Sequence, residues 1–376
     1  MGISMSQKPT HIRSIIMTAL RKGKFAVGSK LPTENELTQK YGISRATVRE
    51  GIAGLVQEGI LTRRRGAGTF VQNLVVPKTS KIIAVMVACM RSSKDTFGES
   101  VRTIEDGLHE HGYSMILCNH DNDPKKADRY VHRLSQDGVS GVIFSPIQEP
   151  DGQETNLKLL RQLEAQDLPF VLLGTPVSRE TLTRFSIVSS DGFSGTRRMT
   201  RHLIDLGHRR IAYIRFGGIF TDDERFAGYI EEMTQQGLKI PPEYVKNVKR
   251  VGVELQGQEE VRELLNLPEP PTAVMCLHDL TARNVIEEVQ RMGLKVPDNL
   301  AVTGFGDLFF APHLNPPLTT VRVPIEEEAG LLLKILFEKM DGESTGEQQI
   351  FTNVQLKIRE SCGCKIANKS VKGDMS

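Results

Sequence analysis

The sequence predicts an α/β protein in two parts: a small α+β head with a helix-turn-helix and a β-wing, then a body of doubly wound parallel sheet in two lobes. Three observations predict it. Residues 31 to 71, LPTENELTQKYGISRATVREGIAGLVQEGILTRRRGAGTFV, spell two short helices, a tight turn and a basic hairpin. From Lys81 onward, short apolar runs alternate with amphipathic stretches, the pattern of a parallel sheet covered on both faces. Charge divides at the same place: residues 1 to 77 hold 12 Lys and Arg against 4 Asp and Glu, and the remainder holds 36 against 42. A formal net charge of +2 therefore hides a basic head, suited to a polyanion, and an acidic body that is not. A chain of 376 residues has room for two or three units with their own cores. The expected division is residues 8-72 for the head, 73-80 for a linker, 81-364 for the body and 365-376 for a disordered tail.

In the head, Thr33 is placed to cap the first helix, and Glu34 and Glu36 put acid in its first turn, where the macrodipole favours it. That helix ends near Tyr41, Gly42 supplies a positive φ for the turn, and Ser44 caps the second helix. There Val48, Ile52, Leu55 and Val56 form one apolar stripe, which leaves Arg45, Thr47 and Arg49 on or near the opposite face. Arginine reads guanine bidentately in a major groove, and threonine touches a thymine methyl or a phosphate. Two strands, 59–62 and 69–71, then flank Arg63, Arg64, Arg65, Gly66, Ala67 and Gly68. Three cations at a hairpin tip suit a phosphate rail or a minor groove. An arginine triplet alone reads as a solvated surface, and its place after the helix pair is what favours DNA.

These residues resemble the winged helix-turn-helix of the GntR family of bacterial regulators. Its Leu-Pro-Ser/Thr-Glu start, Ser-Arg-x-Thr-Val-Arg and Gly-x-Gly-Thr-Phe wing stand here in order, over residues 8 to 72. The resemblance implies double-stranded operator DNA as a partner, with contacts from Arg45, Thr47, Arg49, Arg63, Arg64, Arg65, Gly66 and Gly68, and Thr33 as a further member.

In the body, KIIAVMVACM, SVRTIEDGLHEHG, YSMILCN, ADRYVHRLSQDG and VSGVIFSPI read as βαβαβ. The alternation continues through PFVLLG, a helix from about Gly192 to Leu206, RIAYIRF, a helix near Arg225 to Gln236, TAVMCLHD and LAVTGFGD. Ligands of open α/β sheets bind outside the carboxyl ends of the strands. Those positions hold residues 91 to 97, Ser145, Asp191, residues 216 to 225, His278 with Asp279, and Asp307. They are largely polar and contain no catalytic set.

Other classes are disfavoured. The chain has no Gly-x-x-x-x-Gly-Lys-Ser/Thr loop, no strand-to-helix Gly-x-Gly-x-x-Gly, no Gly-x-Ser-x-Gly at a strand-to-helix elbow and no His-Glu-x-x-His pair. No apolar run has membrane-spanning length and the start lacks a signal-peptide pattern, so a cytoplasmic location and no membrane partner are expected. Cys89, Cys118 and Cys276 end apolar runs, and Cys362 with Cys364 form a lone Cys-x-Cys without neighbouring ligands in sequence, so no metal or cofactor is expected.

VSSDGFSGTRRMTRHLIDLGHRRIAYI, ERFAGY, PTAVMCLHDLTA, VPDNLAVTGFGD and NPPLTTVRVP are similar to the effector domain of the LacI family, over about residues 81 to 362. That resemblance implies a two-lobed periplasmic-binding-protein-like body and a small-molecule effector, expected to be a monosaccharide; a homodimer is expected because two winged helices on a two-fold axis read a palindromic site. It places Arg225 and Asp279 on the effector, with Thr221, Asp191, Ser145 and Phe97 at weaker pocket positions. The chemistry suits a polyol: Asp279 accepts from two hydroxyls, Arg225 donates a fork, and Phe97 covers an apolar sugar face. Each has a structural alternative, Asp279 as cap of TARNVIEEVQ, Arg225 as partner of Asp223 and Phe97 as core. The chain departs from the LacI pattern at His278 in place of asparagine and at Gly306 where aspartate is frequent. It also lacks an aromatic in 249–256, which disfavours a nucleobase effector, and a hinge helix, NLVVPKTS being only a connector. The expected function is a ligand-responsive repressor of carbohydrate-utilisation genes, released from a palindromic operator by a small sugar; the alternative is an α/β enzyme acting on a sugar or nucleotide.

Overall fold

The computed structural model describes residues 8–21, 24–57, 59–72, 81–88, 90, 96–134, 137–149, 151–178, 182–248, 256–344 and 346–364. The expected linker 73-80, the expected disordered tail 365-376, Cys89, and most of residues 91–97 and 249–256 lie outside them.

The head is built from α1 (Lys8–Arg21), α2 (Glu34–Tyr41), α3 (Arg45–Gln57) and the antiparallel strands β1 (Leu61–Arg64) and β2 (Gly68–Val71). Thr33 and Glu36 form a reciprocal capping box at the start of α2, and Gly42 at φ 64° closes its end with its N–H on the Thr38 carbonyl, so both boundaries follow local chemistry. The apolar stripe of α3, Val48, Ile52 and Leu55, packs with Ile12, Ile16 and Leu20 of α1 and with Leu37 and Leu61. The first strand lies two residues further along than expected and the second begins one residue earlier: Leu61 pairs with Val71 and Arg64 with Gly68. Arg63 and Arg64 therefore belong to β1, and the tip is Arg65, Gly66 and Ala67. Lys30 bridges to Phe70 as a third edge, and Leu31 N–H donates to the Thr69 carbonyl at 2.9 Å, which fastens the wing to the start of α2.

The body opens with β3 (Ile82–Val87), α4 (Thr96–Glu110), β4 (Ser114–Asn119), α5 (Pro124–Arg133), β5 (Gly141–Phe144), α6 (Gly152–Ala165), β6 (Phe170–Leu173) and β7 (Ile187–Ser190), the N-lobe. It continues with α7 (Gly192–Asp205), β8 (Ile211–Arg215), α8 (Phe220–Gln235), β9 (Val245–Asn247), α9 (Gln258–Leu265), β10 (Ala273–Cys276), α10 (Asp279–Arg291), β11 (Ala301–Gly306) and β12 (Thr319–Arg322), the C-lobe. Then α11 (Ile325–Met340) and β13 (Gln349–Thr352) return to the N-lobe, and β14 (Gln355–Lys357) rejoins the C-lobe. The N-lobe sheet runs β4-β3-β5-β6-β7-β13 and is parallel throughout; the C-lobe sheet runs β9-β8-β10-β11-β12-β14, with β14 alone antiparallel.

Each sheet is covered on both faces, which is why its strands read as unbroken apolar runs. In β3, Ile83, Val85 and Val87 face α4 and α11, while Ala84 and Met86 face α5 and α6. In β8, Ala212 and Ile214 face α9 and α10, while Ile211 and Tyr213 face α7 and α8. Burial of such side chains stabilises each lobe by roughly 1.5–3 kcal/mol apiece. The chain passes between lobes three times, at residues 190–192, 322–325 and 352–355. Among the described residues no helix is long and apolar enough to cross a membrane.

Candidate functional site

Two surfaces gather the expected site residues. On the head, Arg45 and Arg49 are exposed one turn apart on α3, as a face presented to a groove requires. Thr47 is not: it is 8% exposed, its hydroxyl lies 2.8 Å from Ser44 Oγ, and its N–H reaches the same oxygen at 3.3 Å. It closes the start of α3 beside the buried Val48, and the exposed neighbours of Arg45 and Arg49 are Ala46 and Glu50. Thr33 is exposed but its hydroxyl and N–H are both given to Glu36, at 2.9 and 2.7 Å. Glu34 receives Arg49 at 3.0 Å and Arg63 at 3.1 Å, tying α3 and the wing to α2. Arg64 lies over the Phe70 ring at 4.7 Å, and Arg65 is exposed at the tip. Gly66 and Gly68 take φ of 75° and 118°, which an L side chain adopts only with strain.

In the body, a cleft of about 360 Å³ opens between the lobes at the carboxyl ends of the strands. Phe97, Thr221 and Arg225 line it, and Phe97 also packs against the α4–α11 core. Arg225 stacks on Phe305 at 3.6 Å and donates from Nη1 to the Leu277 carbonyl at 3.0 Å, while its buried Nε has no partner. Burial lowers its pKa, so a ligand that supplies acceptors is favoured. Its alternative partner Asp223 pairs with Arg215 instead. Asp222, 4% exposed, takes Arg215 Nε at 3.1 Å and Gly217 N–H at 2.8 Å on one oxygen and leaves the other buried and unpaired. Gln256 likewise lines the cleft with an unpaired, buried Oε1. Buried polar atoms without partners are costly, and three of them, one donor and two acceptors, belong to residues that line one cavity.

Asp279 does not reach the cleft wall. It is fully buried, accepting from Thr320 Oγ1 at 2.5 Å and from Leu308 N–H at 2.7 Å, and burial pushes its pKa up to about 6. Nor does it cap α10, a task that falls to His278, whose Nδ1 accepts from Thr281 N–H at 3.1 Å. Ser145 is fully buried behind the wall, its carbonyl accepting from His120 Nε2 at 3.0 Å. Asp191 caps α7 through Ser194 N–H at 2.9 Å and lines a small recess that shares Thr221 and Arg225 with the cleft. Asp307 is held by Arg359 at 2.6 Å.

Asp222, Gln256 and Glu328 line the cleft without having been singled out, although Asp222 falls in the stretch after β8. Glu328 had a signal: it falls in the buried stripe of α11 with Ile325, Ala329 and Leu332. The Cys-x-Cys also has a neighbour that sequence distance hid, His202 Nε2 lying 3.3 Å from Cys362 Sγ. Among the described residues, no group of three or more His, Cys, Asp or Glu is placed to hold a metal.

Residues 9–71 match the bacterial regulatory proteins of the gntR family, and residues 200–362 match a periplasmic binding protein-like domain. The chain is 30% identical over 368 residues to the arabinose metabolism transcriptional repressor of Geobacillus stearothermophilus, spanning 94% of this chain and 97% of that protein. The arabinose metabolism transcriptional repressor of Halalkalibacterium halodurans is 26% identical over 384 residues, 98% of this chain and 100% of that one. Among solved structures, the transcriptional regulator CelR in complex with cellobiose shares the fold with a TM-score of 0.67 at 24% identity, over 88% of this chain and 100% of that chain.

Proposed function

The chain belongs to the family of ligand-responsive transcriptional repressors that join a GntR-type head to a periplasmic-binding-like body, and we propose that its effector is a monosaccharide that releases it from operator DNA. The observation that carries this reading is the set of unpaired polar atoms on residues of the cleft wall, Arg225 Nε, Asp222 Oδ1 and Gln256 Oε1. A polyol satisfies all three, since each hydroxyl both donates and accepts. Phe97, Phe216 and Phe305 give the same cavity apolar surface for the face of a sugar ring. Arg225, Thr221 and Phe97 contact the sugar; Asp191 bounds the adjoining recess, and Asp279 and Ser145 hold the wall from behind. The names of the relatives make arabinose the first sugar to try.

On the head, Arg45 and Arg49 read the major groove, and Arg63, Arg64 and Arg65 follow the phosphates, with Gly66 and Gly68 letting the tip approach. Thr33 positions the first of the two helices by capping it, and Thr47 the second through its hydrogen bonds to the capping Ser44. A cytoplasmic homodimer would set two such heads on a two-fold axis, over half-sites of a palindrome in carbohydrate-utilisation genes.

The test is a thermal-shift and calorimetric panel of monosaccharides on the full chain, repeated with operator DNA present. A sugar that raises Tm and binds more weakly on operator, by the same factor as it weakens operator binding, supports the reading. A panel without a binder, or equal affinities with and without operator, refutes it.

A further inference from the structure

Glu328 stands where the three crossings between the lobes meet. Its N–H donates to the Pro324 carbonyl at 3.0 Å, on the second crossing, and its Oε1 accepts from Thr352 Oγ1 at 2.8 Å, on the third. The carbonyl of Thr352 in turn accepts from the N–H of Asp191, on the first, at 2.9 Å. The residue is 6% exposed and occupies a position of α11 whose neighbours Ile325, Ala329 and Leu332 are apolar. A neutral side chain would fasten Thr352 as well, without burying an acid. The acid's other oxygen takes no hydrogen bond from any described residue, and the side chain lines the effector cleft. In that cleft Arg225, with its unpaired Nε, and Asp222, with its unpaired Oδ1, stand on α8 of the other lobe.

We propose that Glu328 is the N-lobe anchor of the effector, accepting one ligand hydroxyl with its free oxygen while Arg225 and Asp222 hold the same molecule from the C-lobe. The role rests on the reading of the cleft as a polyol site. One small ligand then ties both lobes directly at the crossings.

The placement has a pH signature. Burial, with the like charge of Glu327 on the same helix, pushes Glu328 up to about 7, against the pull of the Thr352 hydroxyl and of Arg225. Asp222 on α8, His278 at the start of α10 and Glu149 after β5 also line the cavity. A ligand hydroxyl donated to the free oxygen stabilises the carboxylate, so binding expels the proton that about half of the molecules carry at neutral pH. Affinity should therefore rise with pH and level off above the free-state value, by roughly tenfold between pH 6 and pH 8 if the bound carboxyl stays ionised.

The experiment is calorimetric titration of the full chain with arabinose and the other monosaccharides of the panel, at pH 6, 7 and 8, using two buffers of different ionisation enthalpy at pH 7. Wild type should release about half a proton at pH 7 and bind roughly tenfold more weakly at pH 6 than at pH 8. Glu328→Gln, which keeps an acceptor for Thr352, should bind at pH 8 about as weakly as wild type at pH 6, with no pH slope. His278→Asn should keep the slope, which excludes the imidazole in the cavity as its source. A flat wild-type profile, or a slope that survives in E328Q, overturns the role of Glu328 alone. Failure of every sugar to bind wild type overturns the polyol reading and this role with it.

Discussion

Asp279 separates two explanations of one residue. If it touches the effector, substitution should weaken sugar binding and leave the fold intact. If it is the fastening between the start of α10, Thr320 of β12 and the loop at Leu308, substitution should act on stability. Asp279→Ala strands the Leu308 N–H and the Thr320 hydroxyl in a fully buried place, where each lost partner costs roughly 1–3 kcal/mol. A total of roughly 2–6 kcal/mol follows, and at about 2–4 °C per kcal/mol for a domain of this size Tm should fall by roughly 4–24 °C.

Asp279→Asn provides the control. Its amide oxygen accepts from Leu308 N–H and its NH₂ donates to Thr320, with no buried charge, so at pH 7 its stability should lie within about 1 kcal/mol of wild type or above it. The pH profiles should differ. Burial raises the native carboxyl from 3.8 to about 6, so the folded chain holds this proton more tightly than the unfolded one. That contribution is fully present below pH 3.8 and is lost as pH rises through about 6. It amounts to roughly 3 kcal/mol for a shift of two units, and D279N should lack it. The assay is denaturant unfolding of the three proteins at pH 4, 5, 6 and 7, with sugar affinity measured alongside. Unchanged stability in D279A together with a tenfold or greater loss of sugar affinity in D279N would refute the fastening and restore Asp279 as a ligand contact.

Arg225→Lys keeps the charge but loses the planar stack on Phe305 and the unpaired Nε; sugar affinity should fall by roughly tenfold to a hundredfold in calorimetry while Tm moves by less than about 2 °C. Arg65→Ala should lower the slope of log affinity against log salt for operator binding by about 0.9, and an unchanged slope would remove the wing tip from the DNA. Glu34→Gln unties Arg49 and Arg63, both exposed enough that stability should change by under about 1 kcal/mol. The loss should appear in fluorescence anisotropy as a narrower gap between operator and scrambled duplex, since the freed arginines still meet phosphates but are no longer aimed at bases.

What could be read from the sequence was what is decided locally or by periodicity. The capping box at Thr33 and Glu36 spans three residues, and the turn at Gly42 needs one positive φ, so both were legible. The runs of β3, β5, β6, β8 and β10 announce strands because both faces are covered. The short edge strands β9, β13 and β14 are not legible because their pairing comes from distant segments and their patterns are brief. The start of α8 was placed near Arg225 instead of Phe220 because Ile219 gives it no side-chain cap. Asp279 and His278 show the same limit at a site. Either residue type can cap a helix, and the choice depends on Thr320, which sits 41 residues along the chain. Arg225 was assigned to Asp223 as a structural alternative because they are neighbours, yet Arg215 at the end of β8 claims that acid first. Glu328 was within reach of a helical count, but a run of three glutamates reads as a solvated helix start unless the burial stripe is traced through it.

The positions of Arg225 and Glu328 bear on how a ligand becomes a signal. Arg225 packs on the first crossing so closely that a Cβ at Gly192 would lie 2.9 Å from its Cγ, and Glu328 holds the other two crossings. A ligand seated on one lobe alone binds open and closed arrangements equally, and equal affinity shifts no equilibrium however tight the binding. A ligand held by Arg225 from the C-lobe and by Glu328 from the N-lobe makes its full set of contacts in one arrangement only. Its differential affinity then acts on the three short segments that set the angle between the lobes, a hinge in the ordinary sense of a few residues absorbing a rotation. The N-lobe strand nearest the head in sequence, β3, lies inside its sheet between β4 and β5, so a rotation of that lobe carries β3 as part of a rigid layer. The coupling that reaches the head is therefore bounded by what the ligand gains from touching both lobes, on the order of 1–3 kcal/mol. Two hydrogen bonds to charged groups, one on each lobe, are enough to supply it.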